Sequence, residues 1–313
     1  MAITRKLGIG DWGLGIGRRL FHSQFTIRYS PFTIFLCLCL FAFSLSACVS
    51  TRPVTKIGLL APFEGVYRQE GYDALAAMRV ALAEQNPPGI DVLPLALDSS
   101  GDVVRAGQKM LADPSVAAVI GPYWMAEGIS SGGLFDSARW LHPYAPSGDG
   151  RWAEEAVGAA ISFAEGEGRS LVLASIPPGW PQTDVATVAG VDDVQAGQAV
   201  LWLGNPTIGA DFAQALWPRL PDTPIGLYAA RADTFRQRVG AQKTGPLFVV
   251  GWIDDDYPVW AASHSPNTPA AYTIYRQTTD ALKRLAGEKI TTVWQPAVFT
   301  IKGDGTLLLS PAH

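Results

Sequence analysis

Short, uninterrupted apolar segments alternate with segments of helical periodicity along most of the chain, and this alternation restricts the fold more than any other feature. Residues 56–62 (KIGLLAP) are apolar after the first lysine and end at a proline, which predicts a buried strand. Residues 71–85 follow, with Leu75, Met78 and Leu82 on one helical face. Because strands that are apolar along their whole length are buried on both faces, the pattern predicts parallel sheets covered by helices.

The same pattern continues to residue 309 and predicts the remaining elements. The further predicted strands cover residues 90–98, 116–122, 141–146, 170–176, 184–189, 199–204, 224–229, 246–253, 291–301 and 306–309, the last two joined as a β-hairpin. The further predicted helices cover residues 102–112, 125–138, 153–165, 232–239 and 268–286, and another begins at Asn205-Pro206 with Ile208, Phe212 and Leu216 on one face. Right-handed crossovers then give an α/β fold of two doubly wound parallel-sheet lobes in series.

The first 47 residues differ in composition from the rest of the chain. Five basic residues and one acidic residue occupy positions 1–30, and residues 31–47 are uncharged and rich in Phe and Leu. The sequence Leu45-Ser46-Ala47-Cys48 then resembles a lipobox. This predicts a lipoprotein signal peptide over residues 1–47, a lipid on Cys48 and a polar tether over residues 48–55. The alternative is an uncleaved membrane anchor, although about 17 apolar residues is the lower limit for a spanning helix.

Cysteine content and charge agree with an exported, anchored protein. Cys37 and Cys39 lie in the predicted leader, so only Cys48 would remain, without a disulfide. The whole chain has a net charge of −4, and removal of the basic leader would leave it near −8. An acidic chain without a cluster of Lys and Arg argues against nucleic acid as a partner. A lipid on Cys48 would tether the protein outside the cytoplasm at the cell membrane.

The sequence lacks the arrangements that indicate an enzyme or a metal site. His142, His264 and His313 follow the leader, and none has a partner at helical spacing. Nothing in the sequence suggests a paired base that would make Ser130 or Ser131 a nucleophile. Asp254-Asp255-Asp256 lacks the alternating spacing and glycine of a calcium loop, and we interpret it as a solvated acidic turn. We therefore expect no catalytic residue, no metal and no cofactor.

Aromatic and polar residues follow the predicted strands at their carboxyl ends. Ligands bind at this edge of open parallel sheets, where helix N-termini direct their N–H groups. The candidate ligand-binding residues are Phe63, Glu64, Tyr67, Tyr123, Trp124, Ser147, Asp149, Trp180, Asn205, Arg231 and Trp252. Aromatic residues mixed with a few polar groups suit a small organic solute. The alternative is that the tryptophans and tyrosines only cover the edges of the lobes.

Several segments resemble type 1 periplasmic solute-binding proteins, and most closely the branched-chain amino-acid (Leu/Ile/Val) receptors of ABC transporters. The resemblance is most specific in KIGLLAPFEGVYRQEGYDALAAMRVAL (56–82), the strand ending at Asp98 and AAVIGP (117–122). It continues in WLHPYAPS (140–147), AVLWLGNPTIGADFAQALW (199–217) and TPAAYTIYRQTTDALKRLA (268–286).

The resemblance implies a clamp whose two lobes close about a hinge on a solute. One lobe would comprise residues 56–148 with 268–286, and the other residues 149–253 with 290–309. The second lobe is shortened, because the family's strand after the proline-serine loop is missing. The implied function is to capture a small solute for an ABC permease. A second class stays open: a degenerate clamp that acts as an envelope sensor or a protein-binding lipoprotein.

Two loops depart from the amino-acid receptors. Those receptors place a serine or threonine after the third strand, whereas this chain has Tyr123-Trp124-Met125. They also place a carboxylate in the second lobe, where this chain has Ala229-Ala230-Arg231. These differences predict a flat or small apolar-bodied solute, walled by Tyr123 and Trp124 from one lobe and by Trp180 or Trp252 from the other. Its polar end would be held by Glu64, Asp149 or Arg231.

Overall fold

The apolar segments form the strands of two separate sheets. The computed structural model of the protein describes residues 54–85, 87–122, 139–143, 151–228, 232–240, 245–303 and 305–310. These residues belong to one compact unit, Arg52–His313. The strands are β1 (Val54–Ala61), β2 (Asp91–Asp98), β3 (Val116–Ile120), β4 (Trp140–Leu141), β5 (Ser170–Ala174), β6 (Thr187–Val188), β7 (Gln198–Trp202), β8 (Ile225–Tyr228), β9 (Leu247–Ile253), β10 (Gln295–Ile301) and β11 (Leu307–Leu309). The α-helices are α1 (Arg68–Glu84), α2 (Val103–Ala112), α3 (Trp152–Gly166), α4 (Pro206–Leu216), α5 (Ala232–Val239), α6 (Tyr257–Ser263) and α7 (Pro269–Leu285).

The first sheet has the strand order β2-β1-β3-β4, and all of its neighbouring strands are parallel. The side chains of β1 alternate between the two faces of this sheet. Ile57 and Leu59 pack in a cluster with residues of α1 and α7, whereas Leu60 packs with Met110 of α2. Both faces of β1 are therefore buried, which explains why its sequence is apolar without alternation.

The second sheet has the strand order β11-β10-β9-β8-β7-β5-β6. Strands β5 to β9 are parallel, and β10 and β11 form the predicted antiparallel hairpin at one edge. Helix α3 covers one face through Ala156 and Ala160, and helices α4 and α5 cover the other through Ala210 and Phe235. The fold is thus α/β with two largely parallel sheets, as the sequence predicts.

Capping residues place several helix ends where the sequence predicts them. The Asp102 side chain accepts a hydrogen bond from Arg105 N–H at 2.9 Å, and α2 begins at the next residue. Thr268 Oγ1 accepts one from Ala271 N–H at 3.2 Å, and α7 begins at Pro269. These bonds satisfy backbone donors that have no partner within the helix. The predicted helix 125–138 and the end of the predicted strand 141–146 lie outside the described residues.

Two predictions about the second half are wrong in part, and one helix was missed. In α4, Ile208 is 59% exposed and the buried face is formed by small residues such as Gly209, Ala210 and Ala213. The predicted strand 184–189 contains only the two residues of β6. Helix α6 was not predicted, because seven residues are too few to show a helical period.

A polar stripe on α7 contacts three segments of the chain at or near the points where the chain passes from one sheet to the other. Thr273 Oγ1 lies 3.3 Å from the carbonyl oxygen of Trp252 in β9. Four residues later, Gln277 Nε2 donates to the carbonyl of His142, which follows β4, at 2.9 Å. One turn further, Asp280 Oδ1 accepts from Thr292 Oγ1, shortly before β10, at 2.8 Å. This spacing puts the three side chains on one face of α7, which therefore holds all three connections.

Candidate functional site

The loop after β1 is fixed by the carboxyl end of β2. Asp98 Oδ1 accepts hydrogen bonds from Phe63 N–H at 2.6 Å and from Ser100 N–H at 3.2 Å, and Ser100 Oγ accepts from Glu64 N–H at 3.2 Å. Burial alone would raise the pKa of the Asp98 carboxyl, but hydrogen bonds from Ser100 and Phe63 outweigh it and lower that pKa. Neither Asp98 nor Ser100 is among the predicted site residues, although Asp98 ends β2 and Ser100 follows it at the predicted edge.

The first turn of α1 packs tightly on this loop. A Cβ atom at Gly71 would lie 1.9 Å from the carbonyl oxygen of Pro62, so only glycine fits. Glu70, which precedes it, is buried with 1% exposure. The rings of Phe63 and Tyr72 meet edge to face with centroids 5.6 Å apart. Of the predicted site residues here, Phe63 is half-buried and Glu64 is exposed.

Tyr67 and Asn205, both predicted site residues, contact each other. Tyr67 lies in a 3-10 turn (Gly65–Tyr67) after β1, and Asn205 is the residue before α4. The Tyr67 hydroxyl donates to Asn205 Oδ1 at 2.7 Å and accepts from Thr207 N–H at 2.9 Å. It also contacts Thr207 Oγ1. Burial raises the pKa of Tyr67 and outweighs the hydrogen bonds with Thr207. The loop after β1 of the first sheet thus joins the helix after β7 of the second.

The Asn205 end of this contact is held by its own sheet. Trp202 Nε1 donates to the carbonyl of Asn205 at 2.9 Å. Gly204 packs so closely on Ser175 that a Cβ atom would lie 2.1 Å from Ser175 Oγ. Ser175 follows β5 and has a φ of +55°, a backbone conformation that costs free energy for a residue with a side chain. The sequence carried no signal for this conformation.

Two of the predicted wall residues belong to an aromatic cluster. The Trp180 ring lies edge to face with the rings of Trp152 (centroids 5.0 Å apart) and Tyr228 (5.5 Å). Trp252 is 1% exposed, and its Nε1 donates to the Tyr228 hydroxyl at 3.0 Å. Burial raises the pKa of that hydroxyl. Trp252 is therefore a core residue. It lies within β9, which is buried along its whole length, and not in the loop after this strand.

The turn Asp254-Asp255-Asp256, predicted to be solvated, is solvated only in part. Asp255 and Asp256 are exposed, but Asp254 is buried. Arg276 Nε of α7 lies 2.8 Å from Asp254 Oδ2, and the Tyr272 hydroxyl donates to Asp254 Oδ1. A second ion pair joins Arg276 to Asp256 at 3.1 Å. This turn therefore connects the end of β9 to α7.

Other predicted site residues lie outside the described residues, so their roles stay predictions. They are Cys48, Tyr123, Trp124, Ser147, Asp149 and Arg231. Within the described part of the chain, no group of three or more His, Cys, Asp or Glu residues could hold a metal ion. None of the described helices is both long and apolar enough to cross a membrane.

Comparison with known proteins identifies the fold. No protein-family model and no curated protein matches the sequence. Among solved structures, an extracellular ligand-binding receptor from Verminephrobacter eiseniae has a TM-score of 0.55 and 14% identity, with 82% of this chain and all of that chain covered. The leucine-binding protein LivK from Thermotoga maritima has a TM-score of 0.55 and 11% identity (82% and 98% covered). An ABC transporter substrate-binding protein from Desulfitobacterium hafniense in complex with Leu has a TM-score of 0.51 and 14% identity (82% and 100% covered).

The chain has the type 1 periplasmic binding protein fold. In this chain, the loop after the first strand of one sheet contacts the helix after a parallel strand of the other. Identities of 11–14% support the shared fold and carry no residue role over to this chain.

Proposed function

We propose that the protein captures a small organic solute between the carboxyl ends of its two sheets and delivers it to an ABC permease. The observation that carries this proposal is the contact of Tyr67 with Asn205 and Thr207, which brings together the two edges where parallel sheets bind ligands. We further propose that Cys48 carries the lipid that anchors the protein outside the cytoplasm. The resemblance of Leu45-Ser46-Ala47-Cys48 to a lipobox supports this anchor.

The proposed lobes follow the two sheets. Residues 56–148 with 268–286 would form one lobe, and residues 149–253 with 290–309 the other. The packing of α7 supports this assignment of its segment, since Tyr272 and Ile274 share a cluster with Ala74 and Met78 of α1. The polar stripe of α7 would then lie at the hinge.

The proposed solute has an apolar body and few charges. Two of the solved relatives are named for leucine or contain it, which favours a solute of similar size. Phe63 and Tyr67 supply half-buried aromatic surface at the edge of the first sheet. Because Tyr123-Trp124-Met125 replaces the serine or threonine of the amino-acid receptors, a solute without a free amino-acid headgroup fits the sequence better.

A thermal-shift screen tests this function. Residues 49–313 contain the whole compact unit and omit the predicted leader. A solute at about 100 times its Kd should stabilise the folded state by about 2.7 kcal/mol, which raises Tm by roughly 5–10 °C in a chain of this size. The screen covers amino acids, amides, sugars and small acids. A melting temperature that no compound raises would contradict solute capture and favour the degenerate clamp.

A further inference from the structure

We infer that Tyr67 is a latch that holds the carboxyl ends of the two sheets together before any solute arrives. This inference deepens the proposed function and rests on it for its consequence in binding. Tyr67 is separated from Asn205 and Thr207 by about 140 positions, so local chain geometry does not create the contact. The hydroxyl joins an element of one sheet to an element of the other.

The bonds of the Tyr67 hydroxyl make it a second cap for α4. Asn205 Oδ1 accepts from Thr207 N–H at 2.8 Å, as an N-cap does, and the Tyr67 oxygen accepts from the same N–H. The Tyr67 hydrogen is in turn donated to Asn205 Oδ1. The Asn205 side chain, the Thr207 N–H and the Tyr67 hydroxyl are thus each hydrogen-bonded to the other two.

Both partners of the latch are presented by closely packed surroundings. On the first sheet, Gly71 seats the start of α1 against Pro62 with no room for a Cβ atom. On the second, the Trp202 ring lies where a Cβ atom at Gly209 would come within 2.8 Å of it. Because both supports are packed without room for a Cβ atom, we expect loss of the Tyr67 bonds to let the two edges separate instead of being absorbed by a local shift.

The latch determines how a solute is bound. Since the hydroxyl already occupies the Thr207 N–H, a solute needs no anionic group at the start of α4 to close the cleft. Apparent affinity is the intrinsic affinity multiplied by the fraction of molecules in the binding-competent state. A latch that keeps the edges together raises that fraction and so lowers the apparent Kd of a solute enclosed behind Tyr67.

Hydrogen exchange of the solute-free full chain in detergent tests the latch. Tyr67→Phe removes only the hydroxyl. Tyr72→Phe is the matched control, because Tyr72 lies five residues later in α1 and is exposed. Mass spectrometry would follow peptides covering residues 62–68 and 203–209. In Tyr67→Phe we expect both segments to exchange about tenfold faster, equivalent to about 1.4 kcal/mol for loss of the hydrogen bonds of the hydroxyl. In Tyr72→Phe we expect wild-type rates.

A double variant separates a latch from a merely local loss. Thr207→Val removes the hydroxyl of the partner and keeps its N–H. If Tyr67 and Thr207 form one contact, the double variant should exchange no more than about twofold faster than Tyr67→Phe, since coupled neighbours are not additive. Unchanged exchange at residues 203–209 in Tyr67→Phe would overturn the latch. Because no solute is present, this result is independent of the thermal-shift screen, whose failure would overturn solute capture alone.

Discussion

At the residue scale, one cluster of polar side chains connects three helices that pack with the first sheet. It consists of Glu84 in α1, His264 directly after α6 and Tyr275 in α7. His264 Nε2 lies 3.1 Å from Glu84 Oε1, and the Tyr275 hydroxyl donates to Glu84 Oε2 at 2.7 Å. His264 Nδ1 lies 2.8 Å from the carbonyl of Trp260. Burial lowers the pKa of His264, but hydrogen bonds to Glu84 and Trp260 outweigh it and raise that pKa. For the Glu84 carboxyl both directions are reversed. Burial raises its pKa, but hydrogen bonds from Tyr275 and His264 outweigh burial and lower that pKa.

These shifts predict a pH-dependent contribution to stability. A raised histidine pKa in the folded state stabilises below the unfolded value of about 6.5, and this contribution is lost as pH rises through the folded pKa. The lowered Glu84 pKa gives a stabilising contribution that is lost as the pH falls through the pKa of Glu84 in the folded state. Because Glu84 is 41% and His264 19% exposed, we expect only about 0.5 kcal/mol. Urea unfolding of His264→Gln at pH 5.5 and pH 8 should show that much less pH dependence than wild type.

Glu84→Gln is the matched control for this measurement. It removes the charge that raises the His264 pKa, so it should flatten the same part of the pH profile. Equal pH dependence in wild type and in both variants would show that the pair contributes nothing measurable.

The acidic turn shows where prediction from the sequence ends at this scale. Asp254, Asp255 and Asp256 are identical in type and adjacent, so composition gives them one environment. The structure separates them, because Arg276 and Tyr272 approach Asp254 from α7. A buried carboxylate is tolerated when it is paired and hydrogen-bonded, and its partners lie about 20 positions away.

At the element scale, caps are local and were predicted, whereas the buried face of a helix depends on its neighbour. Asn205 and Pro206 begin α4 as predicted, with Asn205 Oδ1 bonded to Thr207 N–H. The apolar spacing suggested that Ile208 faces the sheet, but the Trp202 ring requires Gly209 there. Size complementarity to one large ring therefore outweighed hydrophobicity, and a single sequence does not show which ring a helix will meet.

Gly209 allows this packing to be measured. Alanine normally favours a helix over glycine by up to about 1 kcal/mol. In Gly209→Ala the new methyl group would lie 2.8 Å from the Trp202 ring, so we expect a net loss of about 1–2 kcal/mol in unfolding free energy. Gly158→Ala is the control in α3, since no atom lies within 4 Å of its added Cβ, and it should gain about 0.5–1 kcal/mol. Urea unfolding of both variants measures the difference, and a gain in Gly209→Ala would disprove the close packing.

At the scale of the whole molecule, the two sheets were predictable and their contact was not. Each sheet follows from its own apolar strands and helices, which repeat along the chain. The contact between Tyr67 and Asn205 depends on how the sheets face each other, and no local pattern in the sequence encodes this arrangement. Both residues are predicted site residues because each follows a predicted strand, but the sequence does not show that they contact each other.

At the same scale, substitution of Cys48 tests how the whole molecule is attached to a membrane. If Cys48 carries the lipid, Cys48→Ala should abolish incorporation of labelled palmitate and move the protein from the membrane fraction to the soluble fraction. Cys39→Ala is the matched control, because Cys39 lies in the apolar part of the predicted leader and should not affect either readout. An acyl chain contributes about 0.8 kcal/mol for each CH₂ group buried in the bilayer, so its loss should release a chain held by nothing else. If Cys48→Ala stays in the membrane fraction while palmitate is absent from wild type, the leader is an uncleaved anchor and the lipobox interpretation is wrong.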